Sequence, residues 1–321
     1  MQLSAIYKPV QEDLVRVDKE LESVSKVDFS GLAKLLDHSL KSGGKGIRPA
    51  LTLLSGKLYH YNLDTLLPMA AAVELLHVAT LIHDDAIDKS PVRRGRPTVY
   101  KVWGEDKAVL LGDYLFAKAG ELTATTRNLR AIKLFAQTLR TISAGELSQI
   151  FSAFSLEQAY QQYIYRISCK TAALFVLATE SGAVLSKAPA ASVKVLSEYG
   201  YNLGIAFQIV DDILDFIGTE EEVGKPIGSD LAQGTLTLPS MLLLERYPED
   251  NPVKRLFENR DRREEIKLAI EQVRNSSIIE ECYATTTDYC VKACRNLNQL
   301  PDKASRQSLM DIASYIIQRK R

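Results

Sequence analysis

Histidine, cysteine and tryptophan are scarce: the 321 residues include four, four and one of them. The histidines are His38, His60, His77 and His83. Although His83 precedes Asp84, a metal phosphohydrolase of the His-Asp type would need further imidazoles, and the chain does not supply them. The cysteines, Cys169, Cys282, Cys290 and Cys294, include no Cys-x-x-Cys pair, which argues against a zinc site. Their use fits reduced thiols in a reducing cytoplasm. Net charge is lacking too, with 40 basic and 40 acidic side chains. Bulk electrostatics therefore gives no reason to expect a nucleic-acid partner, and any anion must be met by a local cluster. The longest apolar run, Met69 to Ile82, is interrupted by Glu74 and His77 and is too short to cross a bilayer. No basic segment followed by an apolar stretch marks a signal peptide, so neither a leader nor a transmembrane segment is expected.

What is abundant is helical periodicity. Apolar residues make up 46% of the chain and recur at three- and four-residue steps, while alternating β-type runs are rare. The spacing predicts helices over 6–26, 29–42, 50–60, 63–89, 107–125, 128–153, 157–186, 190–219, 236–246, 260–273, 276–296 and 302–319. Proline and glycine gather in three breaks, GGKGIRP (43–49), SPVRRGRP (90–97) and residues 218–239. No linker separates the segments. The expectation is an all-α, single-domain bundle of long helices packed around a central cavity, spanning 1–321.

Two acidic clusters stand out, LIHDDAID (81–88) and QIVDDILD (208–215). At about 100° per residue, Glu74, His77, Asp84 and Asp88 form one polar stripe on an otherwise apolar helix. Gln208, Asp211 and Asp215 repeat the design on a second helix. Clustered carboxylates repel one another and raise each other's pKa, and divalent cations relieve that repulsion. Oxygen-only ligands select hard ions, and magnesium takes one or two carboxylates together with substrate phosphates. A solvated acidic helix end explains a single cluster well, but two identically spaced copies point to two metal-bearing walls around a polyphosphate. Basic loops lie beside them. GGKGIRP supplies Lys45 and Arg48, SPVRRGRP supplies Arg93, Arg94 and Arg96, and GKPIGSD supplies Lys225. Arginine's planar fork suits phosphate.

These residues, together with RRGRPTVY, LLGDYLFAKA, GEL-Q (145–149) and CKTA (169–172), resemble the trans-isoprenyl diphosphate synthases, or polyprenyl synthetases. The resemblance covers about 30–245, with the motifs in the family's order, and leaves helices over 252–321. It implies the isoprenoid synthase-like fold, a Mg2+ requirement and a homodimer. By position, Asp84, Asp88 and Asp211 would bind metal, with Asp85, Asp212 and Asp215 assisting. Arg93, Lys170, Thr171, Gln208 and Lys225 would contact an allylic diphosphate. Lys45, Arg48, His77 and Arg94 would hold isopentenyl diphosphate. One position departs from the pattern: Thr235 stands where many members carry a diphosphate-binding lysine.

The implied reaction is ionisation, condensation and elimination, with the departing diphosphate as the base and Thr171 and carbonyl oxygens facing the cation. Product length would be gated one turn above the first aspartates. There Ala79 and Thr80 are small, which implies a product longer than geranylgeranyl diphosphate; Phe116 and Phe135 are candidate floors. A long product suggests transient membrane contact at release. Alternatives are a short-chain synthase, a terpene cyclase on the same fold, and a non-catalytic subunit. The intact second cluster and the isopentenyl loop argue against the last two.

Overall fold

Side-chain caps and glycine breaks divide the chain largely where its periodicity predicts. The computed structural model describes residues 2–41, 44–219, 226–260 and 264–318. The first eleven helices are α1 (Leu3–Ile6), α2 (Gln11–Val24), α3 (Ser30–Leu40), α4 (Ile47–Lys57), α5 (Leu63–Ile87), α6 (Val99–Trp103), α7 (Glu105–Thr125), α8 (Leu129–Phe151), α9 (Tyr160–Ile167), α10 (Ala173–Leu185) and α11 (Ala190–Ile217). Further helices cover Ser229–Ala232, Leu238–Arg246, Pro252–Glu258, Glu264–Arg274, Ile278–Cys294 and Ala304–Gln318. Asn62 opens α5 by accepting the Asp64 N–H, and Asn128 opens α8 by accepting those of Arg130 and Ala131.

Several local features escape the periodicity. The first predicted helix breaks at Lys8–Val10, a 3-10 turn around Pro9. The SPVRRGRP loop folds into a two-stranded hairpin, β1 (Val92–Arg93) and β2 (Arg96–Pro97), with Arg93 paired to Arg96. Its two turn residues, Arg94 and Gly95, both have positive φ, at 51° and 72°, as a type I′ turn requires. α6 and Pro252–Glu258 are too short for periodicity to announce.

The helix predicted over 157–186 is interrupted by one π-turn, Ser168–Ala172, which joins α9 to α10. Glycines let neighbouring helices close on it from two sides. A Cβ on Gly145 of α8 would lie 2.4 Å from the Cys169 Cβ, and one on Gly204 of α11 would lie 2.5 Å from the Ala172 Cα.

α5 packs chiefly on α7 and α4, and α10 on α11 and α4. One apolar core runs from Ile6 to Ile316 and so unites the two ends of the chain. A second core joins α9 and α11 to the helices after Leu236. By length and composition, Leu63–Ile87 and Tyr160–Leu185 could each cross a membrane, but most of each is buried against other helices. α5 is longer than the apolar run Met69 to Ile82 because it starts at Leu63 and continues through Asp84 and Asp85.

Candidate active site

The polar stripe of α5 divides its work among three partners. Lys170, in the π-turn, places its Nζ 3.7 Å from Asp84 Oδ2 and 3.0 Å from Glu146 Oε2 of α8. Burial alone would lower the lysine pKa, but Asp84 and Glu146 more than reverse this, so the ammonium stays charged. Asp85 points elsewhere: its Oδ1 accepts from Arg93 Nε at 2.8 Å. Burial pushes the Asp85 carboxyl up to about 6 against the pull of Arg93. Asp88 is also raised by burial; Lys170 opposes the rise, while Asp84 and Glu146 add to it. Asp84, Asp88 and Glu146 thus surround one half-buried ammonium. Glu146 lies in the GEL-Q motif but carries no role in the sequence reading; its signal is the adjoining Gly145 that brings α8 against the π-turn.

The second cluster is reached through the next residue. Thr171 donates its hydroxyl to Gln208 Oε1 on α11. Gln208 Nε2 donates to Asp212 Oδ1 at 2.8 Å, and Tyr163 OH donates to Asp212 Oδ2 at 2.7 Å. Burial pushes Asp212 up to about 7, with Asp230 adding to the rise. Asp211 is half-buried, whereas Asp212 and Asp215 are 2% and 0% exposed. Asp215, expected to assist at a metal, also reaches the short helix Ser229–Ala232. Its carboxylate accepts from the Ser229 hydroxyl at 3.0 Å and the Asp230 N–H at 3.1 Å. Thr235 is buried, and its N–H donates to the Asp230 carbonyl. Lys225 lies outside the described residues.

A basic cleft of about 190 Å3 borders the first wall, lined in part by Glu74, His77, Asp85, Arg93 and Arg94. Burial raises Glu74, while Arg48 and Arg94 oppose the rise. Burial and then Arg48, Arg94 and Arg93 hold His77 well below the usual range, so at neutral pH it is an uncharged hydrogen-bonding group. The Arg48 guanidinium lies over Phe175 and Phe207, 5.1 and 5.9 Å from the ring centres. The Lys45 loop is held from both chain ends. Tyr7 OH donates to the Lys45 carbonyl at 3.0 Å, and Lys45 Nζ lies 5.7 Å over the Tyr315 ring.

Among the expected length-determining positions, Ala79 is fully buried in α5. Thr80 is half-buried and donates its hydroxyl to the His77 carbonyl at 2.7 Å. Phe135 is buried in the main core. Phe116 meets His83 edge to face, with centres 5.1 Å apart, so one side of its ring packs on α5.

Among the described residues, no three carboxylates, imidazoles or thiols converge on one point that could hold a metal by themselves. Magnesium does not require such a cage, because it keeps water and takes one or two carboxylates with substrate phosphates. Burial raises Asp88 and the nearby Asp84 and Glu146 add to the rise, and clustered oxygen donors of this kind fit such a hard cation. The arrangement can hold a polyanion between carboxylate walls, with Lys170, Arg93, Arg94 and Arg48 as direct cations.

Comparison with known proteins agrees with this chemistry. The family model described as polyprenyl synthetase matches residues 30–273. The chain is 37% identical to heptaprenyl diphosphate synthase component 2 of Bacillus subtilis, over 100% of this chain and 92% of that one. It is 36% identical to the geranylgeranyl diphosphate synthase of Saccharolobus solfataricus, over 95% of each. Its fold matches a crystal structure of polyprenyl synthase from Caulobacter crescentus, complexed with calcium and isoprenyl diphosphate. That match has a TM-score of 0.94 and 32% identity, and covers 100% of this chain and 98% of that one. The chain belongs to the polyprenyl synthetase family, and it is a prenyltransferase of prenyl-chain elongation.

Proposed function

We propose that the chain condenses isopentenyl diphosphate with an allylic diphosphate in a Mg2+-dependent reaction and releases a polyprenyl diphosphate longer than geranylgeranyl. The observation that carries this reading is the division of labour at the π-turn: Lys170 serves Asp84 on one wall and Thr171 serves Gln208 on the other. The calcium and isoprenyl diphosphate named for the Caulobacter structure support a divalent cation and a prenyl diphosphate ligand here.

Asp84, Asp88 and Asp211 would hold Mg2+, which when bound neutralises charge growing on the leaving diphosphate. Lys170 and Arg93 bind that diphosphate directly, and Asp85 fixes the direction of Arg93 through its Nε. Lys45, Arg48, Arg94 and neutral His77 orient isopentenyl diphosphate so that its double bond faces the allylic carbon. Thr171 faces the cation, and the surrounding apolar helices exclude water. The released diphosphate takes the proton.

The outer faces of α7 and α8 leave Leu110, Leu147, Ile150 and Phe151 exposed, which supports a homodimer through these helices. A second reading follows from the Bacillus relative's name, component 2: the same faces would then seat a different subunit. Four unpaired cysteines support a reducing cytoplasm as the location. The test is elongation of geranyl or farnesyl diphosphate by the purified chain with labelled isopentenyl diphosphate and Mg2+. Products would be sized by chromatography and the assembly by light scattering. Products no longer than geranylgeranyl would overturn the length assignment. An inactive chain that still binds Mg2+ and pyrophosphate would favour the second reading.

A further inference from the structure

Tyr163 is fully buried, lies outside every motif that carried the family resemblance, and spends its one hydroxyl on Asp212. With Gln208 on the other oxygen, both oxygens of that carboxylate accept from a named side chain. The donors come from two elements. Tyr163 belongs to α9, and Gln208 lies one turn before Asp212 on α11. Gln208 is itself oriented by Thr171, so four side chains form one continuous line: Tyr163, Asp212, Gln208 and Thr171.

The line closes only because of the π-turn. In an uninterrupted α-helix, residues eight apart differ by about 80° in direction. A π-turn inserts about one extra residue, so Tyr163 and Thr171 come back to about the same face, the one that meets α11. Lys170, about 100° away, is turned toward α5 and α8. The π-turn therefore directs Lys170 to one wall and Thr171 to the other, and Tyr163 anchors the second wall's end of the device.

The Tyr163 ring is held in turn. The Arg166 guanidinium lies 5.5 Å from its centre, donates to Gln158 Oε1 at 2.7 Å and donates to the Leu236 carbonyl beyond the second cluster. This buried cation also faces Asp212, whereas Asp230 opposes it there.

We propose that Tyr163 is a positioning residue for the metal-bound diphosphate: by fixing Asp212 and, through it, Gln208, it sets the direction in which α11 presents Asp211 and the allylic-side contacts. The proposal rests on the prenyl-transfer reading above. Tyr163 contacts no substrate and acts only through Asp212.

Tyr163→Phe keeps the ring and removes only the O–H. The wild-type chain and this variant are compared by calorimetric binding of inorganic pyrophosphate with Mg2+, which involves no turnover, and by steady-state elongation. Losing a hydrogen bond to a buried carboxyl costs up to about tenfold in the equilibrium it supports. The variant is therefore expected to bind Mg2+ and pyrophosphate up to about tenfold more weakly. The Mg2+ needed for half-maximal rate and KM for the allylic substrate should rise by a similar factor, up to about tenfold. KM for isopentenyl diphosphate should stay within about twofold, because His77 and Arg94 belong to the α5 side of the cleft and share no named partner with Tyr163. Unchanged pyrophosphate binding, or an equal rise in both KM values, overturns the proposal. If Tyr163→Phe gives no soluble protein, Asp212→Asn carries the same comparison, since its amide faces one of the two donors with a donor. A wild-type chain that elongates beside an unaltered variant sinks this inference alone, whereas a wild-type chain that binds pyrophosphate but elongates nothing sinks the reading beneath it.

Discussion

Lys170 Nζ lies 3.7 Å from Asp84 Oδ2, so a cation of the π-turn and the first aspartate of the α5 cluster face one another directly. The pair is half-buried, and Asp84 with Glu146 keeps the Lys170 ammonium charged against the pull of burial. A substrate diphosphate entering with Mg2+ would meet an ammonium already directed at the first wall.

Replacing that ammonium should affect kcat most. Lys170→Ala is expected to lower kcat by about 100-fold or more, the usual loss when one donor to a developing anion is removed. KM for isopentenyl diphosphate should change little. Lys170→Arg should recover part of the loss, limited by the guanidinium's larger fork. Steady-state kinetics with each substrate varied in turn would check this, and a Lys170→Ala enzyme with wild-type kcat would remove Lys170 from the chemistry.

Gly145 controls the same ammonium from behind. A Cβ there would lie 2.4 Å from the Cys169 Cβ, so Gly145→Ala must push α8 away from the π-turn. The strain should cost about 1–3 kcal/mol, visible as a lower Tm. Glu146 would move with the helix and lose its 3.0 Å contact to Lys170, so kcat should fall as well. Conserved activity at lower Tm would mean that Glu146 does not hold Lys170 during turnover.

The helices and both acidic clusters were legible because helix period and carboxylate spacing are local properties of the sequence. Direction within a cluster was not. Asp211 and Asp215 share a stripe by spacing, yet Asp215 faces the loop that caps Ser229–Ala232, and a stripe cannot show which loop returns to meet it. Likewise, Glu74 and Asp84 share the α5 stripe but serve different partners, since the hairpin that carries Arg94 arrives from outside the helix. The π-turn was illegible for a different reason: one inserted residue scarcely disturbs a hydrophobic pattern over 26 residues. Tyr163 had no sequence signal at all, because a buried tyrosine on a helix usually reads as core.

The raised carboxyls predict a pH dependence for the metal-free protein. Asp85 is held at about 6 by burial, above the roughly 3.9 of an unfolded chain. Its folded state therefore keeps the proton longer, and its contribution to stability is fully present below about 4 and lost as pH rises through about 6. The span corresponds to about 2–3 kcal/mol. Asp85→Asn removes this titration, so the difference in unfolding free energy between wild type and variant should shift by about that amount between pH 4 and 7. Urea unfolding without Mg2+ measures it, and a pH-independent difference would show that Asp85 titrates as in an open chain.

Product length offers the last test, because the two gate positions differ in surroundings. Thr80 lies one turn before Asp84 on the same side of α5 and is half-buried, whereas Ala79 is fully buried. Phenylalanine at either position would fill space that a growing apolar chain needs beneath the diphosphate site. Both Ala79→Phe and Thr80→Phe are expected to shift products toward shorter chains, read by reversed-phase chromatography of the dephosphorylated alcohols. They should differ in stability: Ala79→Phe overpacks a closed site and should cost about 1–3 kcal/mol, while Thr80→Phe should cost less. If Ala79→Phe folds and makes an unchanged length distribution, the chain does not pass that face of α5. The floor would then have to be sought along α7 and α8, where Phe116 and Phe135 pack into the main core.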